Sequence, residues 1–317
     1  MQHNFKFVLY GNSHMINFFA KAILESKKCD LVGIVTLKKD LLPLNSVNLS
    51  AFSNQHSIAY IETEDINSYK TQHEIKRLSP DIAVISWPKI IKQEVLNIPN
   101  LYSIGTHPSH LPLNRGRHPL HWFICLNIFS TTLSFFKMDE KIDNGDIILQ
   151  EDFFIKSNGT INDFNDSMYT AAYNGMLKLC QLLVLDQLKF KKQHTKKATY
   201  FRKRNFFDSL IDIRMSAKSI INHVNSFIQP YNCATLIIEK NIYYIKNVQI
   251  LYKSEIIIEY GKVLFMDKTY IDIKVEDYVV RLFFKDKVVI IENLSYVYTP
   301  TYYYNKYNEY WKEKLNG

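Results

Sequence analysis

Residues 103–122 read SIGTHPSHLPLNRGRHPLHW, and residues 134–146 read SFFKMDEKIDNGD. The first segment contains four histidines and two arginines, and the second contains four acidic residues. An imidazole beside a carboxylate is an effective general base near neutral pH, because the carboxylate stabilises one tautomer and raises the basicity of the ring. We therefore predict that His107 and Asp143 form a catalytic pair. The alternative is that these histidines only stabilise turns on a basic surface.

Prolines and glycines shape the loops that carry this pair. Pro108, Pro112 and Pro119 restrict the backbone φ angle, so the first loop is expected to be stiff. Gly116 and Gly145 permit a positive φ or a close approach of the backbone to a ligand. Loops that hold polar side chains in place on a rigid scaffold are typical of catalytic sites.

The N-terminal half alternates apolar runs with helical patterns. Residues 5–10 (FKFVLY) predict a strand, and residues 16–24 repeat apolar side chains at helical spacing. Further short apolar runs occupy residues 31–36, 58–61 and 82–86. Strands of a parallel sheet that is covered on both faces have this character. The pattern predicts an α/β fold with a mostly parallel, doubly wound sheet, whose ligands bind beyond the carboxyl ends of the strands.

Two short segments follow predicted strands at that edge. Residues 11–13 (GNS) come after the first strand, and without a GxGxxG pattern an ordinary turn is favoured over a phosphate site. Residues 86–88 (SWP) follow the strand at 82–86 and are expected on the same edge as His107. Trp87 either stacks on a ligand or packs at the edge of the core.

The chain changes character near residue 200. Strands at 130–136 and 147–155 and a helix at 160–188 complete a first domain, residues 1–200. Residues 201–317 begin with a basic linker and a short helix, and then show seven short runs with alternating apolar residues, which predict a small antiparallel barrel or sandwich. The runs are residues 235–239, 242–251, 255–260, 262–266, 270–275, 279–284 and 288–291.

Composition narrows the class of protein. The 317 residues are 47% hydrophobic, with neither an apolar run long enough to span a membrane nor a signal-peptide pattern at the start, so we expect a soluble cytoplasmic protein without membrane contact. The four cysteines are far apart and form no CxxC pair, which indicates neither a disulfide framework nor a metal site. The net charge of +8 favours an anionic partner: RNA, a membrane surface or a small phosphorylated substrate.

Three segments together resemble a known family. They are PDIAVISWPKIIKQEVLNIP at 80–99, HPSHLPLNRGRHP at 107–119 and MDEKIDNGDII at 138–148. In order and spacing they resemble the catalytic core of the formyltransferases that use 10-formyltetrahydrofolate, and weaker similarity continues through residues 198–250. The resemblance implies a Rossmann-like formyltransferase domain followed by an OB-like β-barrel domain, with 10-formyltetrahydrofolate as co-substrate and no metal.

The resemblance also implies roles for individual residues. His107 and Asp143 match the catalytic pair, and Gly105 stands where the family usually carries an asparagine that donates to the developing oxyanion. Either a backbone amide or Thr106 replaces that donor, or the site is rearranged, or activity is weak. The implied folate-binding residues are Ser86, Trp87, Pro88, Ser109, Leu111, Pro112, Arg117, Asp139, Glu140, Lys141 and Ile142. The implied substrate-binding residues are Gly11, Asn12, Ser13, Arg115 and Arg202.

The family contains several functions, and the sequence favours one. We expect a nucleotide-sugar N-formyltransferase that acts on a dTDP-, UDP- or GDP-linked amino deoxysugar for surface polysaccharide such as lipopolysaccharide O-antigen, as a homodimer. The first alternative is methionyl-tRNA formyltransferase. Its RNA-reading members carry a basic insertion that is absent here, because Lys38 and Lys39 are the only basic residues between Leu37 and Asn54. The second alternative is a folate-binding protein without catalysis, for which Gly105 is the motive.

Overall fold

A computed structural model of the protein describes residues 4–43, 46–139, 141–253 and 257–316. The chain forms two compact units. The first comprises Met1–Pro119, Ser130–Ile155 and Asp163–Arg202, and the second comprises Leu120–Phe129, Lys156–Asn162 and Lys203–Gly317. The first unit ends close to the domain limit at residue 200 that the sequence predicts. Two short segments from the earlier part of the chain also belong to the second unit.

The first unit is an α/β sandwich around one sheet. Its elements, with the short helix α5 that leads out of it, are β1 (Phe5–Gly11), α1 (His14–Glu25), β2 (Cys29–Leu37), α2 (Ser50–Gln55), β3 (Ala59–Thr63), α3 (Tyr69–Arg77), β4 (Ile82–Ser86), α4 (Gln93–Leu96), β5 (Tyr102–His107), β6 (Arg115–Gly116), α5 (Pro119–Cys125), β7 (Ser130–Lys137), β8 (Ile147–Phe154), α6 (Ile161–Val184) and β9 (Tyr200–Phe201). The helix α6 ends earlier than the predicted limit at residue 188.

The main sheet has seven strands in the order β3-β2-β1-β4-β5-β7-β8. The strands from β3 to β5 are parallel, and β7 and β8 join antiparallel at one edge. In β1, residues 7–10 are fully buried, as expected for a strand that helices cover on both faces. The mostly parallel α/β sheet that the sequence predicts is therefore confirmed.

The strand order reverses at the centre of this sheet, between β1 and β4. In open α/β sheets the carboxyl edge at such a point is the usual place for a ligand. Gly11 at the end of β1 lies opposite Ser86 at the end of β4. A Cβ at Gly11 would lie 2.6 Å from the backbone oxygen of Ser86, so the close approach of these two strand ends requires glycine. The fold thus brings residues 11–13, 86–88 and His107 to one edge.

The second unit contains a separate antiparallel sheet. Its elements include α7 (Ala217–Asn225), β10 (Ala234–Ile238), β11 (Asn241–Tyr252), β12 (Val263–Met266), β13 (Tyr270–Lys274), β14 (Val279–Phe284), α8 (Pro300–Lys306) and α9 (Asn308–Asn316). The strand order is β10-β11-β14-β13-β12. Side chains of α7 and of the sheet together form one apolar core. The run at 288–291 is not a strand, and the run at 255–260 lies partly outside the described residues. An OB-like barrel stays a prediction.

Candidate active site

His107 is the last residue of β5. Its side chain is buried, with 5% of the residue surface exposed. The ring Nε2 lies 2.8 Å from the backbone oxygen of Asn114. A carbonyl oxygen can only accept, so Nε2 carries the proton in the neutral ring and the lone pair is on Nδ1. Nδ1 lies 3.5 Å from Asp143 Oδ2, so the basic nitrogen of His107 is the one beside the carboxylate.

The backbone of the first loop holds Asp143 in place. The amide of Gly116 donates to Asp143 Oδ2 at 2.9 Å. Asp143 has a φ of +51°, in the left-handed region that non-glycine residues rarely occupy. Such strained residues concentrate at functional sites, where the surrounding structure imposes the conformation. These contacts place a carboxylate oxygen of Asp143 beside Nδ1 of His107.

The side chain of Arg115 contacts the loop that carries Asp143. The resemblance implies that Arg115 binds the substrate, but the residue is buried, with 1% of its surface exposed. Its guanidinium donates to Gln193 Oε1 at 2.6 Å, to Asn144 Oδ1 at 3.1 Å and to the hydroxyl of Tyr200 at 3.0 Å. The burial follows from the pairing of β6 with β9, which places Arg115 opposite Tyr200. The guanidinium of Arg115 thus bonds to other side chains of the protein.

A cleft of about 440 Å³ opens at the carboxyl edge of the sheet. It brings together most of the residues that the sequence analysis assigns to the site, from five separate loops or strand ends. Those that line it are Asn12, Ser13, Ser86, Trp87, Pro88, Gly105, His107, Arg117, Asp139, Lys141, Ile142 and Asp143. Trp87 also packs against the core cluster that contains Val8 and Ile85, as expected for an indole at the edge of the core. Its stacking on a ligand stays a prediction.

Other assigned residues do not line this cleft. Ser109 is fully buried, and its hydroxyl donates to the backbone oxygen of Leu113 at 2.7 Å. Leu111 packs in a small apolar cluster with Phe136 and Ile147. The residues Gly11, Pro112 and Arg202 are also not among those that line the cleft, and Arg202 is exposed. Glu140 lies outside the described residues.

The structure shows what replaces a side chain at Gly105. A Cβ on this residue would lie 2.7 Å from Phe136 Cζ and 3.0 Å from Met138 Cγ. Gly105 pairs with Phe136 in the antiparallel β5–β7 ladder. Two residues away on each strand, the amide of Met138 donates to the backbone oxygen of Ser103 at 2.8 Å, so Ser103 and Met138 form a hydrogen-bonded pair. Hydrogen-bonded pairs alternate along such a ladder, so the Gly105 amide is directed at Phe136. The ring and the thioether fill the space that an asparagine would need.

Sequence reasoning missed several residues of the cleft. Ser46 lies 34 positions from Asn12 and accepts a hydrogen bond from Asn12 Nδ2 at 2.8 Å, which no local pattern signals. Ile90 lies two residues after the SWP segment, and it is 82% exposed at the cleft. Its exposure beside the cleft is evident only from the structure, and apolar side chains at such a position commonly contact ligands.

The described part of the chain contains neither a metal-ligand cluster nor a membrane-spanning helix. Within it, His, Cys, Asp and Glu side chains form no group of three or more that could hold a metal ion. No helix in these residue ranges is long and apolar enough to cross a membrane.

The fold and the cleft define an α/β protein with a His–Asp pair at the ligand edge of its sheet. The model of the formyl transferase family matches residues 6–180, which is more than half of the chain. The protein belongs to the formyl transferase family.

Two relatives illustrate the sequence similarity. A methionyl-tRNA formyltransferase of Desulforamulus reducens is 30% identical over 177 residues, which cover 56% of this chain and 56% of the relative. One from a Sulfurihydrogenibium species is 28% identical over 229 residues, which cover 70% and 73% of the two chains. The chain thus spans little more than half the length of the first of these relatives.

Solved structures show similarity of fold at low identity. One is an N-formyltransferase from Helicobacter canadensis in complex with folinic acid and dTDP-3-aminofucose, with a TM-score of 0.66, 20% identity, and coverage of 88% of this chain and 99% of that one. Another is WlaRD, a sugar 3N-formyl transferase in the presence of dTDP and 5-N-formyl-THF, with a TM-score of 0.62, 20% identity, and coverage of 90% and 100%.

Proposed function

We propose that this protein transfers the formyl group of 10-formyltetrahydrofolate to the primary amine of a nucleotide-linked amino deoxysugar. The observation that carries the proposal is the pair of buried His107 and half-buried Asp143, in which the basic ring nitrogen lies beside the carboxylate at a cleft. Membership of the formyl transferase family supplies the reaction class. The dTDP- and folate-bound structures of similar fold support the choice of amino sugar and folate.

The cleft suits a planar folate ring next to a polar acceptor. Its volume of about 440 Å³ lies within the usual range of ligand pockets, roughly 300–1,000 Å³. Trp87, Ile90 and Met138 supply apolar surface for a flat ring. Arg117 and Lys141 are exposed cations on the lining, suited to phosphate or carboxylate groups. These features fit a folate co-substrate and a nucleotide-linked acceptor.

The residues of the pair have distinct roles in the transfer. The folate, when bound, supplies the activated formyl carbon. His107 Nδ1 accepts a proton from the attacking amine, and the charge of Asp143 stabilises the protonated ring. The same ring then returns a proton to the leaving nitrogen of the folate, so that the products are a formamide and tetrahydrofolate. The Asn114 carbonyl keeps Nδ1 as the basic nitrogen throughout.

Ser13 is suited to contact the acceptor. Its hydroxyl is buried at the cleft and has no hydrogen-bond partner among the residues that the structure describes. A buried hydroxyl without a partner costs about 1–3 kcal/mol, so a ligand oxygen or nitrogen at this position would be favourable. Asn12, by contrast, is committed to Ser46.

Methionyl-tRNA as the acceptor is the second candidate, and the names of the sequence relatives favour it. Two observations weigh against it. Lys38 and Lys39 are the only basic residues between Leu37 and Asn54, the segment in which a basic RNA-binding insertion would lie. Lys38 Nζ lies 2.5 Å from Glu64 Oε1, so one of these two charges is already paired. A folate-binding protein without catalysis remains the third candidate, because Gly105 lacks a donor side chain.

Release of tetrahydrofolate from 10-formyltetrahydrofolate tests the proposal. The purified protein is given dTDP-, UDP- and GDP-linked amino sugars and, separately, charged initiator tRNA. We expect turnover with at least one amino sugar and none with His107→Asn. Turnover with tRNA alone would overturn the sugar assignment, and folate binding without turnover on any acceptor would support the third candidate.

A further inference from the structure

The loop that carries Asp143 has an internal support. We propose that Gln193 and Arg115 are positioning residues, which hold the backbone of residues 143–145 so that the Asp143 carboxylate stays beside His107. This inference rests on the proposed function, because that function gives the Asp143 carboxylate its catalytic role. Neither residue touches the cleft, so both would act through Asp143.

Gln193 joins the loop at two points. Its side-chain Nε2 donates to the backbone oxygen of Asp143 at 3.0 Å and to the backbone oxygen of Gly145 at 2.7 Å. These two bonds use both hydrogens of one amide group. Gln193 is 9% exposed, so water does not replace these bonds at low cost. The side chain thus fixes the backbone on either side of Asn144.

Arg115 fixes Gln193 in turn. The guanidinium NH2 group donates to Gln193 Oε1 at 2.6 Å, which sets the orientation of the amide and directs Nε2 at the loop. The NH1 group donates to Asn144 Oδ1 at 3.1 Å, and Asn144 Nδ2 donates to Asp139 Oδ2 at 3.0 Å. A buried arginine that bonds only neutral oxygens among the described residues is costly to maintain. Such a cost is reasonable where the arrangement serves a function.

The loop needs this support because its backbone conformation is unfavourable in isolation. Asp143 has a φ of +51°. At Gly145 a Cβ would lie 1.6 Å from the backbone oxygen of Lys137, so the loop packs directly on β7. Without the two bonds from Gln193, the residues between these points would relax and the carboxylate would leave Nδ1. A displacement of about 1 Å at a catalytic group can reduce a rate by about 10²-fold.

A double-mutant cycle tests whether Gln193 acts through Asp143. Gln193→Met keeps the length of the side chain and removes its hydrogen bonds, and we expect kcat to fall about 10²-fold. Gln193→Glu keeps an acceptor for Arg115 but removes the donor to the loop, and we expect a similar fall. In the Asp143→Asn background, Gln193→Met should cost less than about twofold more, because the group it positions is already gone. Losses that multiply would overturn the proposal.

Hydrogen exchange provides a readout that does not require turnover. Amide deuterium uptake in residues 139–146 should rise in Gln193→Met, while uptake in β1 and β4 stays at the wild-type level. The matched control is Gln181→Met, on the exposed side of α6, which should change neither activity nor uptake in the loop. Unchanged uptake in Gln193→Met would contradict the proposal even if the wild-type protein transferred no formyl group. Absence of transfer with raised uptake would contradict only the proposed function.

Discussion

Two buried histidines, one in each unit, resemble each other closely. His107 is 5% exposed and His223 is 8% exposed. Each has Nε2 bonded to a backbone carbonyl, His107 to Asn114 at 2.8 Å and His223 to Ser209 at 3.0 Å. Burial and the carbonyl bond therefore do not distinguish a candidate general base from a structural histidine.

The surroundings of the rest of the ring make the difference. His223 packs against the ring of Phe227, with 5.0 Å between the centroids, and burial lowers its pKa to about 4. The ring stays neutral at physiological pH and serves the core. His107 instead has a carboxylate 3.5 Å from Nδ1 and lines a cleft. A carboxylate on the second nitrogen, together with access to a ligand, is what makes a buried histidine a candidate for proton transfer.

Replacing His107 should have the largest effect on activity. His107→Asn should lower kcat by about 10³-fold, within the 10²–10⁴ that general acid–base catalysis contributes, and leave folate binding intact. His223→Asn is the matched control and should keep kcat close to the wild-type value. Retention of more than about a tenth of kcat in His107→Asn, a barrier change below about 1.4 kcal/mol, would remove His107 from its role.

Asp143→Asn should be nearly as damaging. The side-chain oxygen of the asparagine can still accept the hydrogen bond from the backbone amide of Gly116, so the loop should keep its place while the negative charge is lost. We expect kcat to fall by about 10²- to 10³-fold at unchanged affinity for tetrahydrofolate, measured by steady-state kinetics and fluorescence titration. An active Asp143→Asn enzyme would show that His107 needs no carboxylate, and the distinction from His223 would fail.

The pH dependence of stability should report His223. Its pKa of about 4 in the folded protein lies below the ordinary imidazole value of 6.5, so the unfolded chain binds the proton first as pH falls. The contribution of the neutral His223 ring to the free energy of unfolding is therefore fully present above pH 6.5, and it is lost between pH 6.5 and about 4. Between pH 6.5 and 5 the loss should be about 2 kcal/mol in the free energy of unfolding by urea titration. His223→Gln should flatten this dependence, and an equally steep profile in the variant would assign it to other groups.

Gly105→Asn should have the smallest effect, and its sign is informative. The new Cβ would lie 2.7 Å from Phe136 Cζ, so the asparagine must displace the ring or the strand. We expect kcat to fall slightly or stay level, measured at saturating folate and sugar. A gain that approaches the 10²- to 10³-fold value of one oxyanion donor would show that the site lacks a donor and has decayed. Gly105→Ala separates the effect of bulk from that of the amide.

The sequence predicts the scaffold well, for a physical reason. Buried parallel strands such as β1 and β4 are continuous apolar runs, and the edge at which they end follows from the fold class. The pairing of His107 with Asp143 is predicted from the acid–base chemistry of the two side chains, and the structure places them 3.5 Å apart. The sequence could not separate Arg115 from Arg117, because the burial of Arg115 depends on β9, 85 residues away. The contacts of Gln193 could not be predicted from the sequence for the same reason, because its hydrogen-bond partners lie 48 and 50 positions earlier in the chain.

Transfer of a labelled formyl group is the most direct test of the central claim. The protein is mixed with 10-formyltetrahydrofolate that carries ¹³C in the formyl group and with dTDP-, UDP- or GDP-linked amino sugars, and the products are followed by NMR. We predict that the label appears in a formamide on one of the sugars with the wild-type protein and not with His107→Asn. Label that stays on the folate with every sugar, or that is transferred equally well by His107→Asn, would contradict this account.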